Sequence, residues 1–444
     1  MRTLLSAALT IAVLFILTVA NDPLQARSQL DPGTSELLPI NKPPSIPERF
    51  FGMSTHSLKD WPTVPMSDVR LWNTGTNWAD VNPKDGVYDW TTLDKWLAAA
   101  QLHGVSHVMY TLAMTPQWAS SNPGDQNCKF SPGACDPPSD LNADGSGTDQ
   151  HWKNFVTAVA IHAAGRIKLW EVWNEPVNTF FWNGTFPQMV RMAQDARTII
   201  LSIDPTSRML TPPNGVNKAF GEKWWESYAA LGGLQYADII AMHGYVNLPP
   251  HECGNYPKAS DFIIAVNNLK SIMATYNASD KPIFDTESSW GHAAELCFTD
   301  PDLQAAFLAQ FYLFHRSSGV RRLYWFAYDD GRTGQLYDRA TKSLNQAGAA
   351  YQQVYTWMLG NSMTEHCTSV GNVWTCGFSG DKGYLAQAIW DADESCGQGK
   401  CQTINYQTDK AYTQYRTLDG KTIPINNGEV PIGAKPILLE NHSR

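Results

Sequence analysis

Eight β-like apolar runs recur along this chain, each followed by a stretch long enough to form a helix. They cover residues 50–56, 69–73, 107–115, 167–175, 209–213, 239–245, 283–288 and 322–328. Amphipathic stretches at 91–103, 152–164, 186–203, 259–277 and 302–318 lie between them, and 344–359 would complete the ring. Repeated strand-then-helix alternation predicts a (β/α)8 TIM barrel over residues 49–360 rather than an open sheet. Beyond Gly360 the runs 373–378, 384–390, 402–408 and 411–417 are short, alternating and broken by Gly, Asp and Asn. That pattern predicts a small antiparallel β domain over 361–444, read as a β-sandwich accessory.

The N-terminus opens Met1-Arg2-Thr3, runs apolar over 4–19 and then offers Ala20 and Ala26 as small cleavage-site residues. This is the layout of a signal peptide over 1–26, so a secreted or periplasmic protein, free of the membrane once processed, is expected. Residues 27–48 are rich in turn formers without periodicity and read as a linker or strap. The eight cysteines suit an oxidising compartment. Proximity pairs Cys128 with Cys135, Cys367 with Cys376 and Cys396 with Cys401, leaving Cys253 with Cys297. No C-x-x-C spacing marks a zinc site. The net charge of −9, with no Lys/Arg run, argues against nucleic acid and for a neutral partner. Asn183, Asn277 and Asn441 begin N-glycosylation sequons, which matter only in a eukaryotic host.

Chemistry concentrates at two strand ends. Trp170-Glu171-Val172-Trp173-Asn174-Glu175-Pro176 closes the fourth run, and Phe284-Asp285-Thr286-Glu287-Ser288-Ser289-Trp290 closes the seventh. Barrel enzymes work at the C-terminal ends of their strands, which makes Glu175 and Glu287 candidate catalytic residues. Strict alternation would turn Trp173, Glu171 and Leu169 to the axis with Glu175, and would set Asp285 beneath Glu287. Glu171 would then lie about 6.5–7 Å deeper, two residues of strand rise. Buried acids need partners, and Arg70 on the second run is expected to pair with one of them or with Glu287. His243 and Tyr245, on one face of the sixth run, are expected donors.

Two carboxyl groups about 5–5.5 Å apart suit retaining glycoside hydrolysis, one attacking and one donating a proton. Apolar walls from Trp173 and Trp182 should raise the Glu175 pKa, while Arg70 and Tyr245 should hold Glu287 ionised. Seventeen tryptophans are many for this length. Trp118, Trp173, Trp182, Trp290 and Trp325 are candidate sugar platforms, with Trp325 as the floor of the cleaved sugar's subsite.

These motifs resemble the fourth- and seventh-strand signatures of the retaining glycoside hydrolases of clan A. Within the clan the chain is most similar to glycoside hydrolase family 39. Further likenesses are Val69-Arg70-Leu71-Trp72, Trp78-Ala79-Asp80-Val81-Asn82-Pro83, Gly86-Val87-Tyr88-Asp89-Trp90 and Thr115-Pro116-Gln117-Trp118-Ala119. The resemblance implies Glu175 as acid/base, Glu287 as nucleophile, Asn174 as the binder of the hydroxyl beside the anomeric carbon, and Arg70 and Tyr245 as supports of the nucleophile. It implies an accessory β domain as well. The chain departs from the family at Val177 and in the Cys-bearing insertion 128–147, and such loops set specificity.

The expected activity is cleavage of β-linked bonds in a poly- or oligosaccharide, with no cofactor or metal. Aromatics spread over several loops favour endo action. An exo enzyme such as a β-xylosidase or arabinofuranosidase is the alternative, and an inactive sugar-binding barrel another. A metal-dependent hydrolase ranks last because the first strand offers His56 alone.

Overall fold

The apolar runs pair in parallel, each on its sequence neighbour. The computed structural model describes residues 43–216, 219–246, 258–291, 298–392, 396–397 and 400–443. The strands are β1 Phe51–Ser54, β2 Asp68–Leu71, β3 His107–Leu112, β4 Leu169–Val172, β5 Arg208–Leu210, β6 Ile240–Met242, β7 Ile283–Ser288 and β8 Arg322–Trp325. They are ordered β5-β4-β3-β2-β1-β8-β7-β6. Bridges from Leu210 to Ile239 and from Asn214 to Met242 join β5 to β6 and close the barrel. Every residue of β1, β2, β4, β7 and β8 is buried. That is the signature of parallel strands covered by helices outside and filled by side chains inside.

Helices Thr91–Leu102, Gln150–Ala163, Phe186–Ile203, Ala219–Ala230, Asp261–Thr275, Pro301–Ser317 and Gln346–Met358 form the outer ring. Their starts are encoded locally. Thr185 and Gln188 form a reciprocal capping box, and Asp300 accepts from the amides of Asp302 and Leu303 ahead of Pro301. The helix Ala219–Ala230 is not among the stretches expected from the sequence. Gly221 in its first turn weakens the local signal, and burial of Trp224, Trp225 and Tyr228 holds it instead.

Met109, Leu169, Leu210, Ile239, Ala241, Phe284 and Tyr324 form one apolar cluster inside the barrel. Gly52 faces the Tyr324 ring so closely that a Cβ there would lie 2.6 Å from it, so no larger residue fits. Tyr324 donates to Asp68, which also pairs with Arg322. This plug separates the two mouths of the barrel.

Antiparallel strands follow the last helix. Ser362–Val370, Val373–Ser379, Leu385–Asp391, Ile437–Glu440, Gln414–Arg416 and Thr422–Pro424 make one sheet in that order, and Ile404–Gln407 pairs with Glu429–Ile432. Ile389, Tyr415, Val430, Ile432, Ile437 and Leu439 fill the space they share. The barrel and these sheets belong to one compact unit, residues Lys42–Arg444. Phe314 of helix Pro301–Ser317 packs edge-on against Trp374 and Trp390, and Lys435 pairs with Asp302 at 2.8 Å. At the other end Ile46 is fully buried and exchanges backbone hydrogen bonds with Gly360 and Asn361, both 2.8 Å. Cys128–Cys135 and Cys367–Cys376 are disulfides. The expected signal segment, most of the strap, the Cys253–Cys297 pairing and the side chains of Cys396 and Cys401 lie outside the described residues. Among the described residues no helix is long and apolar enough to cross a membrane.

Candidate active site

Two local irregularities aim the site, and neither follows strict alternation. On β7 the pairing with β8 steps from Asp285–Leu323 to Ser288–Trp325, which sets one extra residue into β7. A bulge of this kind re-aims the side chains beyond it. Phe284 lies in the interior cluster, yet Asp285 bonds outward to His315 of helix Pro301–Ser317 at 2.7 Å, and Glu287 turns back inward. Asp285 therefore does not sit beneath Glu287 as alternation predicts. On the other side β4 ends at Val172, and both Trp173 (φ 61°) and Glu175 (φ 40°) take left-handed backbone. Trp173 consequently points away from the axis, against Trp152 and Trp182, while Asn174 and Glu175 face the mouth.

Arg70, fully buried on β2, ties the inner side chains together. Its Nε donates to Glu171 Oε2 at 2.8 Å, Nη1 to Glu287 Oε2 at 2.6 Å and Nη2 to Asn174 Oδ1 at 2.7 Å. Thr111 adds a bond to the same Glu171 oxygen at 2.9 Å. Tyr245 donates to the other oxygen of Glu287 at 3.0 Å. Charge-assisted donors on both oxygens stabilise carboxylate charge. Glu171 thus has the structural role expected of a deep acid, and one guanidinium links it to Glu287.

Glu175 is 21% exposed at the mouth, its Oε1 2.8 Å from His243 Nδ1 and its Oε2 accepting from Asn178 Nδ2 at 2.9 Å. Burial pushes its carboxyl up, but the His243 imidazole, the Arg70 guanidinium and the Asn178 amide together bring it below the ordinary range. The expectation of a raised value from apolar walls is overturned, because polar partners bond the group directly and the Arg70 charge acts on it. Burial pushes His243 down, and the negative charges of Glu287 and Glu175 carry it above its usual value. At 2.8 Å the charge state of each bears on the titration of the other. One oxygen of Glu175, one of Glu287 and a ring nitrogen of His243 all lie within 4.8 Å of one another.

The structure brings together Arg70, Asn174, Glu175, His243, Tyr245 and Glu287, all singled out from the sequence. It does not bring the tryptophans to them. Trp173 and Trp182 bury against each other, and Trp290 buries among Phe298, Phe307 and Trp325. Trp325 is wholly buried, stacked on Tyr312 of the outer helix layer, so it cannot floor a subsite. It shares the outward parity of Leu323. Trp118 is half-buried, bonded to Asn82 O and edge-on to His151. Sequence reading missed Asn178, whose spacing of three from Glu175 was a usable turn signal, and Phe326, on the inward parity of Tyr324 and 5.3 Å from the His56 ring.

No family model matches the sequence, and no curated protein does. In fold the chain is similar to the glycoside hydrolases of clan A, most of all those of family 39. Among solved structures it resembles a family 39 glycoside hydrolase from the gut symbiont Bacteroides cellulosilyticus WH2, with 16% identity, 88% of this chain and 80% of that one covered, and a TM-score of 0.65. A monomeric β-xylosidase from Caulobacter crescentus CB15 matches at 15% identity over 90% and 98% of the two chains, with a TM-score of 0.63. A family 30 subfamily 8 xylanase from Clostridium acetobutylicum matches at 15% over 90% and 96%, with a TM-score of 0.56.

Proposed function

We propose that this chain is a secreted retaining glycoside hydrolase that cleaves β-linked bonds of an oligo- or polysaccharide, with residues 361–444 as an accessory domain. The observation that carries the reading is the approach of Glu175 and Glu287 to within 4.8 Å. Retaining pairs stand about 5–5.5 Å apart and inverting pairs about 6.5–9.5 Å, so this approach fits the retaining class. Glu287 attacks the anomeric carbon, the bond to the leaving oxygen breaks, and that oxygen takes the proton held by Glu175 and His243. Water then gives a proton to Glu175 and attacks the glycosyl ester, which releases the sugar and restores the Glu287 carboxylate. Asn174, fixed by Arg70, is placed to bind the neighbouring hydroxyl. A metal-dependent reading is weaker, since both Glu287 oxygens are already engaged, Oε2 by the Arg70 guanidinium and Oε1 by the Tyr245 hydroxyl. The signal-like N-terminus and two disulfides support secretion.

A release screen of wild-type and Glu175→Ala protein over β- and α-linked glycans tests the reading. The similar β-xylosidase and xylanase make xylose-containing glycans the first to try. Release that is lost in the variant is the expected result; no release by wild type from any glycan would count against hydrolysis.

The pairing of Glu175 with His243 sets a pH dependence. The His243 part of the pairing is complete below pH 6.5 and is lost as pH climbs through its raised value, above 6.5; the Glu175 part is complete above pH 4.5 and is lost as pH falls through its lowered value, below 4.5. The basic limb of kcat/KM is therefore expected above pH 6.5. In His243→Gln a carboxyl alone holds the proton, and the limb should fall by about one unit or more. An unmoved limb would assign the proton to another group.

A further inference from the structure

The insertion after β3 is built into the mouth rather than draped over it. Cys128–Cys135 closes a short loop with Phe130 inside it, and three bonds latch that loop to the segment after β4. Lys129 N donates to Phe180 O at 2.8 Å, Asn183 N to Cys135 O at 2.8 Å and Asn183 Nδ2 to Asp136 Oδ1 at 3.2 Å. Phe130 and Phe180 remain 50% and 43% exposed. Phe181 lies between them, 6.4 Å from the Phe130 ring and 4.6 Å from that of Phe180. Phe130 and Phe181 both meet the edge of Trp72, at 5.4 and 5.7 Å, and Trp72 lies under the Arg70 guanidinium that holds Glu287. Phe181 N also bonds Asn178 O, and Asn178 holds Glu175. The exposed rings are therefore contiguous with the supports of both carboxylates.

Exposed apolar rings grouped together mark surfaces that are covered in use, and these adjoin, through Trp72 and Asn178, the groups that hold Glu287 and Glu175. The C–H face of a sugar is the surface that aromatic rings at such a place take up. Resting on the hydrolase reading, we propose that Phe130, Phe180 and Phe181 form a stacking wall for a second sugar ring next to the cleaved one. The substrate is then a saccharide of at least two rings rather than a glycoside of a small alcohol.

The test compares wild type, Phe130→Ala and Phe130→Trp on two probes of whichever sugar the release screen identifies. One is its oligosaccharide series from two to six rings; the other is its monoglycosyl fluoride, whose leaving group is too small to reach the wall. Phe130→Ala should lose about tenfold in kcat/KM on the oligosaccharides, the scale of one aromatic stacking contact, while staying within about twofold on the fluoride. Phe130→Trp should retain the oligosaccharide rate. Equal losses on both probes, or none on either, would overturn the wall while leaving the hydrolase intact. Unchanged kinetics with altered self-association would assign the rings to a second copy of this chain. Wild type inactive on every probe would remove the hydrolase reading itself, and the wall with it.

Discussion

Glu287→Gln is expected to slow glycosidic cleavage by about a thousandfold or more, the scale on which loss of a covalent nucleophile is felt. The amide keeps the size and can still accept from Tyr245, which now donates at 3.0 Å, so the fold should be retained. It cannot attack the anomeric carbon. Because every substrate must pass through the glycosyl ester on Glu287, the loss should be similar for good and poor leaving groups. Removing Glu175 should instead penalise poor leaving groups most, since only they need a proton. Rate measurements on purified, folded variants over a leaving-group series separate the two roles. Full activity in Glu287→Gln would end the two-carboxylate mechanism.

Arg70→Met should destabilise the protein by about 3–5 kcal/mol, the cost of breaking a buried charge network from one side. Three acceptors each lose a donor at once: Glu171, Asn174 and Glu287, with Thr111 left to Glu171 and Tyr245 to Glu287. Glu171 is the most exposed to the loss, because it is fully buried and its Oε1 has no hydrogen-bond partner among the described residues. Arg70→Lys keeps the charge without the planar fork and should fall between the two. Urea titration reads the effect directly. A change below about 1 kcal/mol would mean that water or a local shift replaces the guanidinium.

The barrel was legible because burial on both faces of eight parallel strands writes continuous apolar runs, and such runs survive without an alignment. That Arg70, Asn174, Glu175, His243, Tyr245 and Glu287 meet was legible for a related reason: all six lie on or just beyond barrel strands, whose C-terminal ends converge on one mouth. What failed was direction. Nothing local announces the extra residue in β7, since a bulge is defined by what the neighbouring strand does, and so Asp285 was placed on the wrong face. Trp173 was misplaced because left-handed backbone is rare for an aromatic residue and is held by tertiary contacts. The tryptophans misled because ring chemistry is the same whether a ring faces a sugar or a helix. The surroundings of Glu175 were hidden because two of its partners, His243 and Arg70, lie far away in sequence.

Ring closure here joins β1 to β8 and ties Ile46 to Gly360 and Asn361. During synthesis β1 can pair with β2 at once, but its other edge must wait until β8 has left the ribosome. An unpaired strand edge is a template for wrong association, and contacts this distant along the chain form slowly. The yield of correctly folded protein should therefore depend on translation speed and chaperone supply more than the stability of the finished molecule would suggest.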